Sequence, residues 1–142
     1  MVKGDGSLTR RYVRRKRKIG EDFMSPSPVP QAVQACHELL LWLIPQLDTF
    51  PRSRRFTLGE RMEAGVLEVL ERLVEAAYSR QKDQALSHAN LRLEVVRHLW
   101  RVAHELKVVT TRKYEHGAKL LDELGRQIGG WRRSRESSEA SP

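Results

Sequence analysis

The chain has 142 residues, 39% of them hydrophobic and 31% charged, with a formal net charge of +8. That length suits one domain with a real core, no apolar run is long enough to span a bilayer, and the single cysteine, Cys36, excludes an internal disulfide. With no apolar segment after the N-terminal basic run, no secretory signal is expected either, so the reading is a cytoplasmic protein in a reducing compartment.

The charge is uneven. Residues 1–20 carry eight Lys/Arg and one acid, whereas residues 21–50 carry four acids and no Lys/Arg. Arg10 to Lys18, which includes Arg14, Arg15, Lys16, Arg17 and Lys18, is a like-charge block that repels itself and predicts a disordered arm. Ser25-Pro26-Ser27-Pro28-Val29-Pro30 reads as an extended spacer. A basic arm on a mildly basic body points to a polyanionic partner, most simply nucleic acid. The domain organisation expected is an arm and linker over 1–30, a helical body over 31–133 and a disordered Ser/Glu-rich tail over 134–142.

The first helix should run from Pro30 or Gln31 to Thr49, because Val33, Cys36 or His37, Leu40, Leu43 or Ile44, Leu47 and Phe50 recur at helical spacing. Leu39 to Ile44 is apolar nearly all round, which predicts burial on more than one side. Pro45 removes one helical hydrogen bond and crowds the Leu41 carbonyl, so a kink is expected there. Pro51 stops the helix, Arg52, Arg54 and Arg55 make a cationic connection, and Thr57-x-x-Glu60 reads as a capping box.

The second helix should cover Leu58 to about Arg80 with a Leu58, Met62, Val66, Val69 or Leu70, Leu73, Ala76 or Ala77 stripe. Glu68 and Arg72 are spaced to pair along it, and Gly59 and Gly65 suggest close backbone approaches. Asp83 is placed to cap a third helix ending near Val108 or Val109, with Leu86, Ala89, Leu93, Val96, Leu99 or Trp100, Ala103 and Leu106 on one stripe. Leu91, Val95 and Val102 form a second, narrower one. Thr110 or Thr111 should cap a fourth helix whose stripe is Tyr114, Gly117 or Ala118, Leu121, Leu124 and Ile128. Gly129-Gly130 reads as its stop, with Trp131 packing back. Four amphipathic helices on short connections predict an all-α, up-down-up-down four-helix bundle.

Catalytic signatures are sparse. His37, His88, His98, His104 and His116 offer no i, i+4 metal clamp, and there is no phosphate-binding glycine loop or nucleophile elbow. No metal or other cofactor is expected. Arg92 with His98, and Arg97 with His104, meet the loose spacing of some four-helix ribonucleases, in which histidine moves the proton and arginine holds the phosphate.

Several blocks together carry a family resemblance. Phe50-Pro51-Arg52-Ser53-Arg54-Arg55-Phe56-Thr57-Leu58-Gly59-Glu60-Arg61, Leu70 to Tyr78, Ala89 to Glu94, and Gly125-Arg126-Gln127-Ile128-Gly129-Gly130-Trp131 resemble the accessory variability determinant (Avd) proteins of diversity-generating retroelements. The likeness covers about residues 36–133, leaving the N-terminal arm outside it. More distantly, the chain is similar to the four-helix protein encoded by intervening sequences of ribosomal RNA.

The resemblance implies a bacterial or phage-encoded, non-catalytic bundle that assembles into a positively charged ring, a pentamer. It implies binding to the element's reverse transcriptase and template RNA, or its cDNA, in support of adenine-directed mutagenic cDNA synthesis, with no membrane partner. The alternatives are an RNA-binding bundle of the intervening-sequence type and an Arg/His ribonuclease. Candidate contacts to RNA or the polymerase are Arg52, Arg54, Arg55, Arg97, Arg101, Arg112, Lys113, Arg126, Arg132 and Arg133, plus the arm. Each of these could instead be a solvated or paired surface cation, with acids such as Asp48 as partners.

Overall fold

The computed structural model describes residues 30–140. The basic arm, with Arg14, Arg15, Lys16, Arg17 and Lys18, lies outside the described residues. Four long helices follow in order: α1 (Gln31–Asp48), α2 (Glu60–Tyr78), α3 (Lys82–Glu105) and α4 (Thr111–Ala140). Each packs chiefly on two neighbours, α1 and α3 both lying against α2 and α4, which is the up-down-up-down arrangement.

The core follows the expected stripes except at Leu106, expected on the α3 core stripe, which falls at the C-cap just beyond the helix and is exposed. Ala32, Cys36, Leu39, Leu40, Leu43 and Leu47 of α1 meet Met62, Val66, Val69, Leu73 and Ala76 of α2. Ala85, Leu86, Ala89, Leu93, Val96, Trp100 and Ala103 of α3, with Leu121, Leu124 and Ile128 of α4, close the other side. No polar or charged residue among those described is buried. Gly65 is required by packing, since a Cβ there would stand 2.6 Å from Val96 Cγ2. Gly59, also expected to mark a close approach, has ordinary room, with no neighbour nearer than 3.7 Å.

The corner after α1 differs from the expected loop and capping box. Pro51 takes an extended conformation, and its carbonyl accepts from the N–H groups of Arg54 and Arg55 at 2.8 and 2.9 Å. A helical turn therefore starts at Arg52, passes through a π-turn over Arg55–Gly59 and runs into α2. Thr57 lies inside this path rather than at its start. Its hydroxyl turns back to the Ser53 and Arg54 carbonyls at 3.4 and 3.3 Å, and α2 has no side-chain cap. The expected loop is thus a helical turn nucleated one residue after the proline that ends α1.

The other connections are held by backbone and local side-chain bonds. Lys82 Nζ donates to the Ala76 carbonyl at 2.6 Å, which neutralises the negative end of α2. Asp83 is not the cap of α3: Gln81 takes that position, and Asp83 sits in the first turn, where its charge suits the helix dipole. α3 stops at Glu105, ahead of Val108, because Lys107 adopts φ 61°. Val108 N–H then reaches the Ala103 carbonyl at 2.8 Å and Lys107 N–H the His104 carbonyl at 2.9 Å, a Schellman closure. Thr110 caps α4 as expected, its hydroxyl oxygen accepting from Lys113 N–H at 3.2 Å.

α4 does not stop at Gly129-Gly130. Neither glycine takes a positive φ, and the helix continues through residues 134–140, where composition suggested a disordered end. Ile128 is buried, Trp131 packs on the core, and Arg135 pairs with Asp83 of α3 at 3.5 Å. These contacts carry the helical spacing across the two glycines, at a propensity cost of about 1 kcal/mol each relative to alanine. Pro45 lies within α1, and the helix runs through it to Asp48.

Candidate nucleic-acid interface

The bundle topology sorts the candidate cations by end. The C-termini of α1 and α3 and the N-termini of α2 and α4 share one end, because sequential helices alternate in direction. That end gathers Arg52, Arg54 and Arg55 on the corner, Arg101 near the close of α3, and Arg112 and Lys113 on the first turn of α4. Arg126, Arg132 and Arg133 lie toward the other end, and Arg97 sits between the two.

Pairing divides the same ten residues. Arg55 bonds Asp48 at 3.2 Å across the corner and lies over the exposed Phe56 ring, 5.9 Å from its centroid. Arg97 holds Glu94 at 3.1 Å and Asp122 of α4, so it fastens α3 to α4. Arg101 pairs with Glu105 at 3.2 Å and Arg126 with Glu123. Within the described residues, Arg52, Arg54, Arg112, Lys113, Arg132 and Arg133 make no ion pair. Uncompensated charge of this kind is what a phosphate backbone can use, whereas the four paired arginines would have to give up a partner first.

Other pairs differ from the expected ones. Arg72 takes Glu75 at 2.8 Å, while Glu68 reaches across to Arg92 of α3 at 2.8 Å. The pKa of the Glu123 carboxyl is lowered by hydrogen bonds from Gln127, which is half-buried, and from the exposed Arg126. Burial pushes the Cys36 thiol up to about 12, leaving it protonated and without thiolate reactivity at neutral pH.

In the Arg/His pairs considered for ribonuclease chemistry, both arginines and His104 are engaged elsewhere. Arg92 is bound to Glu68 and Arg97 to two carboxylates. His104 stacks on Tyr114, with ring centroids 4.3 Å apart, and its Nε2 lies 3.2 Å from the Thr111 hydroxyl. Among the described residues no group of His, Cys, Asp and Glu could hold a metal ion, and no helix is long and apolar enough to cross a membrane. Sequence reasoning missed Lys119 and His116, which stand on the α4 face that also carries Arg112. Their i, i+4, i+7 spacing was available as a signal, but only the α1–α4 packing places Trp42 beside them.

Fold and surface together define an all-α four-helix bundle with unpaired cations concentrated at its two ends. The chain belongs to the bAvd-like family, whose model matches residues 32–135, from the first turn of α1 almost to the end of α4. It is an Avd-like accessory protein. No curated protein matches the chain.

Proposed function

We propose that the chain serves a diversity-generating retroelement as its non-catalytic accessory protein, binding the reverse transcriptase and the template RNA to support mutagenic cDNA synthesis. The family match over all four helices carries this reading. The ring-like homopentamer and the cytoplasmic setting in a bacterial or phage host belong to the same proposal.

Two physical features support it. The unpaired arginines and lysine at the corner end present positive charge without the cost of breaking ion pairs, which suits affinity for a structured RNA through its phosphates. On α3, Leu91, Val95 and Val102 fall at i, i+4 and i+11 on the face turned away from the core, and all three are exposed. An aliphatic stripe of that length is what self-association would cover.

The test is a titration of template-length RNA with the purified chain at several salt concentrations. Affinity should fall steeply as salt rises, by roughly 0.7–0.9 in log K per log salt for each phosphate contacted. A flat dependence would refute the electrostatic account. Light scattering on the same sample should report an oligomer, and a stable monomer at micromolar concentration would remove the ring.

A further inference from the structure

Between α1 and α4, toward the corner end of the bundle, lies an open groove of about 470 Å³ lined by Trp42, Arg112, Lys113, Glu115, His116 and Lys119. Three cations face one acid, and within the described residues none of the three makes an ion pair. Arg112, His116 and Lys119 share one face of α4, and the first and last are separated by about 10 Å of helix rise. No acid occupies the first turn of α4, so the positive end of the helix dipole adds to the same field.

The second feature is aromatic. His116 is exposed, and its ring centroid is 4.8 Å from that of the half-buried Trp42. Trp42 stands edge-on to Trp100 at 5.9 Å. Trp100 is buried, donates from Nε1 to the Tyr114 carbonyl at 3.0 Å, and lies against the bare Cα of Gly117. Trp42 is therefore held from behind by the core, and the His116 ring, tilted 48° to it, has that fixed face to rest on, which lowers the ordering needed when something stacks there.

Cations alone accept any polyanion. A prepared ring pair among them favours one whose bases have free π-faces, which a single strand offers and a duplex does not. Resting on the RNA-binding reading above, we propose that this groove holds single-stranded RNA. One base stacks on the His116 ring backed by Trp42, and the flanking phosphates lie on Arg112, Lys113 and Lys119.

The test uses the full chain and a fluorescein-labelled 12-nucleotide oligoadenylate, followed by anisotropy across a salt series. The variants are His116→Ala and the combined Arg112→Gln, Lys113→Gln, Lys119→Gln. All four positions are exposed, and helicity is checked by circular dichroism. The triple variant should lose at least about ten-fold in affinity and about 2 units of salt slope, near 0.7 for each single-strand phosphate released. His116→Ala should lose about five-fold with the slope unchanged, as expected for removal of one stacking face. An RNA duplex of equal length should compete less well than the single strand.

A triple variant that binds within two-fold of the unaltered chain overturns the groove while leaving RNA binding elsewhere on the protein intact. An unaltered chain that binds no RNA overturns both. A duplex that competes as well as the single strand overturns the stacking.

Discussion

Replacing Gly117 with alanine tests the packing account most sharply, because helix propensity and tertiary fit pull in opposite directions. A Cβ at position 117 would stand 2.6 Å from Trp100 Cζ2 and 2.7 Å from both Cε2 and Nε1, closer than real Cβ atoms approach. Trp100 cannot swing away freely. It is 1% exposed, lies edge-on to Trp42, stacks on Tyr114, and donates its indole N–H to the Tyr114 carbonyl. Overpacking of this kind costs about 1–3 kcal/mol. Loosening the indole hydrogen bond adds about 0.5–1.5 kcal/mol. Alanine returns about 1 kcal/mol of helix propensity. The net is a loss of about 0.5–3.5 kcal/mol, or roughly 2–15 °C in Tm for a domain of this size.

Gly130→Ala in the same helix provides the contrast. Its new Cβ would meet nothing nearer than Arg133 Nη2 at 3.9 Å, so the propensity gain of up to about 1 kcal/mol should survive. Thermal and urea unfolding by circular dichroism, at one fixed protein concentration, would compare the two variants with the parent. A Gly117→Ala protein as stable as the parent would refute the claim that Trp100 is clamped between α3 and α4.

Lys107→Gly should raise stability by up to about 1 kcal/mol, because it relieves a left-handed conformation in the Schellman closure that costs a side-chain-bearing residue about 1–2 kcal/mol; urea midpoints would show it, and a destabilised variant would contradict it. Cys36 should resist thiol reagents until the protein unfolds. Its pKa is raised by burial to about 12, so between about pH 9 and 12 the unfolded chain loses a proton that the folded chain keeps. Stability from this group is complete below pH 9 and falls by about 1.4 kcal/mol per pH unit above it; Cys36→Ala should lose that part of the alkaline slope, and an unchanged slope would count against it. Replacing Arg52, Arg54 and Arg55 with alanine should weaken RNA binding while leaving assembly intact. The reverse outcome, in gel filtration and anisotropy, would assign the corner to a subunit contact.

The core was legible in the sequence because apolar spacing is local information. Met62, Val66, Val69 and Leu73 announce a buried helix face wherever they occur. The Thr57-x-x-Glu60 signature misled for a physical reason: capping requires a free N–H at Glu60, and in the helical turn that follows Pro51 that N–H is already bonded to the Arg55 carbonyl. Gly129-Gly130 misled because a glycine stop is a weak preference. Ile128, Trp131 and the Arg135–Asp83 pair outweigh it through tertiary contact. Cross-helix features were beyond reach in one dimension. The Glu68–Arg92 pair and the Trp42–His116 ring contact depend on the register of α2 with α3 and of α1 with α4, which local spacing does not encode. The same holds for the candidate cations. Spacing marked Arg52, Arg97 and Arg112 alike, and only packing separates Arg97, held by two carboxylates, from the other two, which remain open to a ligand.

The most direct measurement of the central claim is reconstituted cDNA synthesis with the retroelement's reverse transcriptase and template RNA, with and without this chain. The account predicts templated product, mutated at adenines, only when the chain is present, and a marked loss with the cationic groove and corner neutralised. Equal yield and equal adenine mutation in its absence would contradict it.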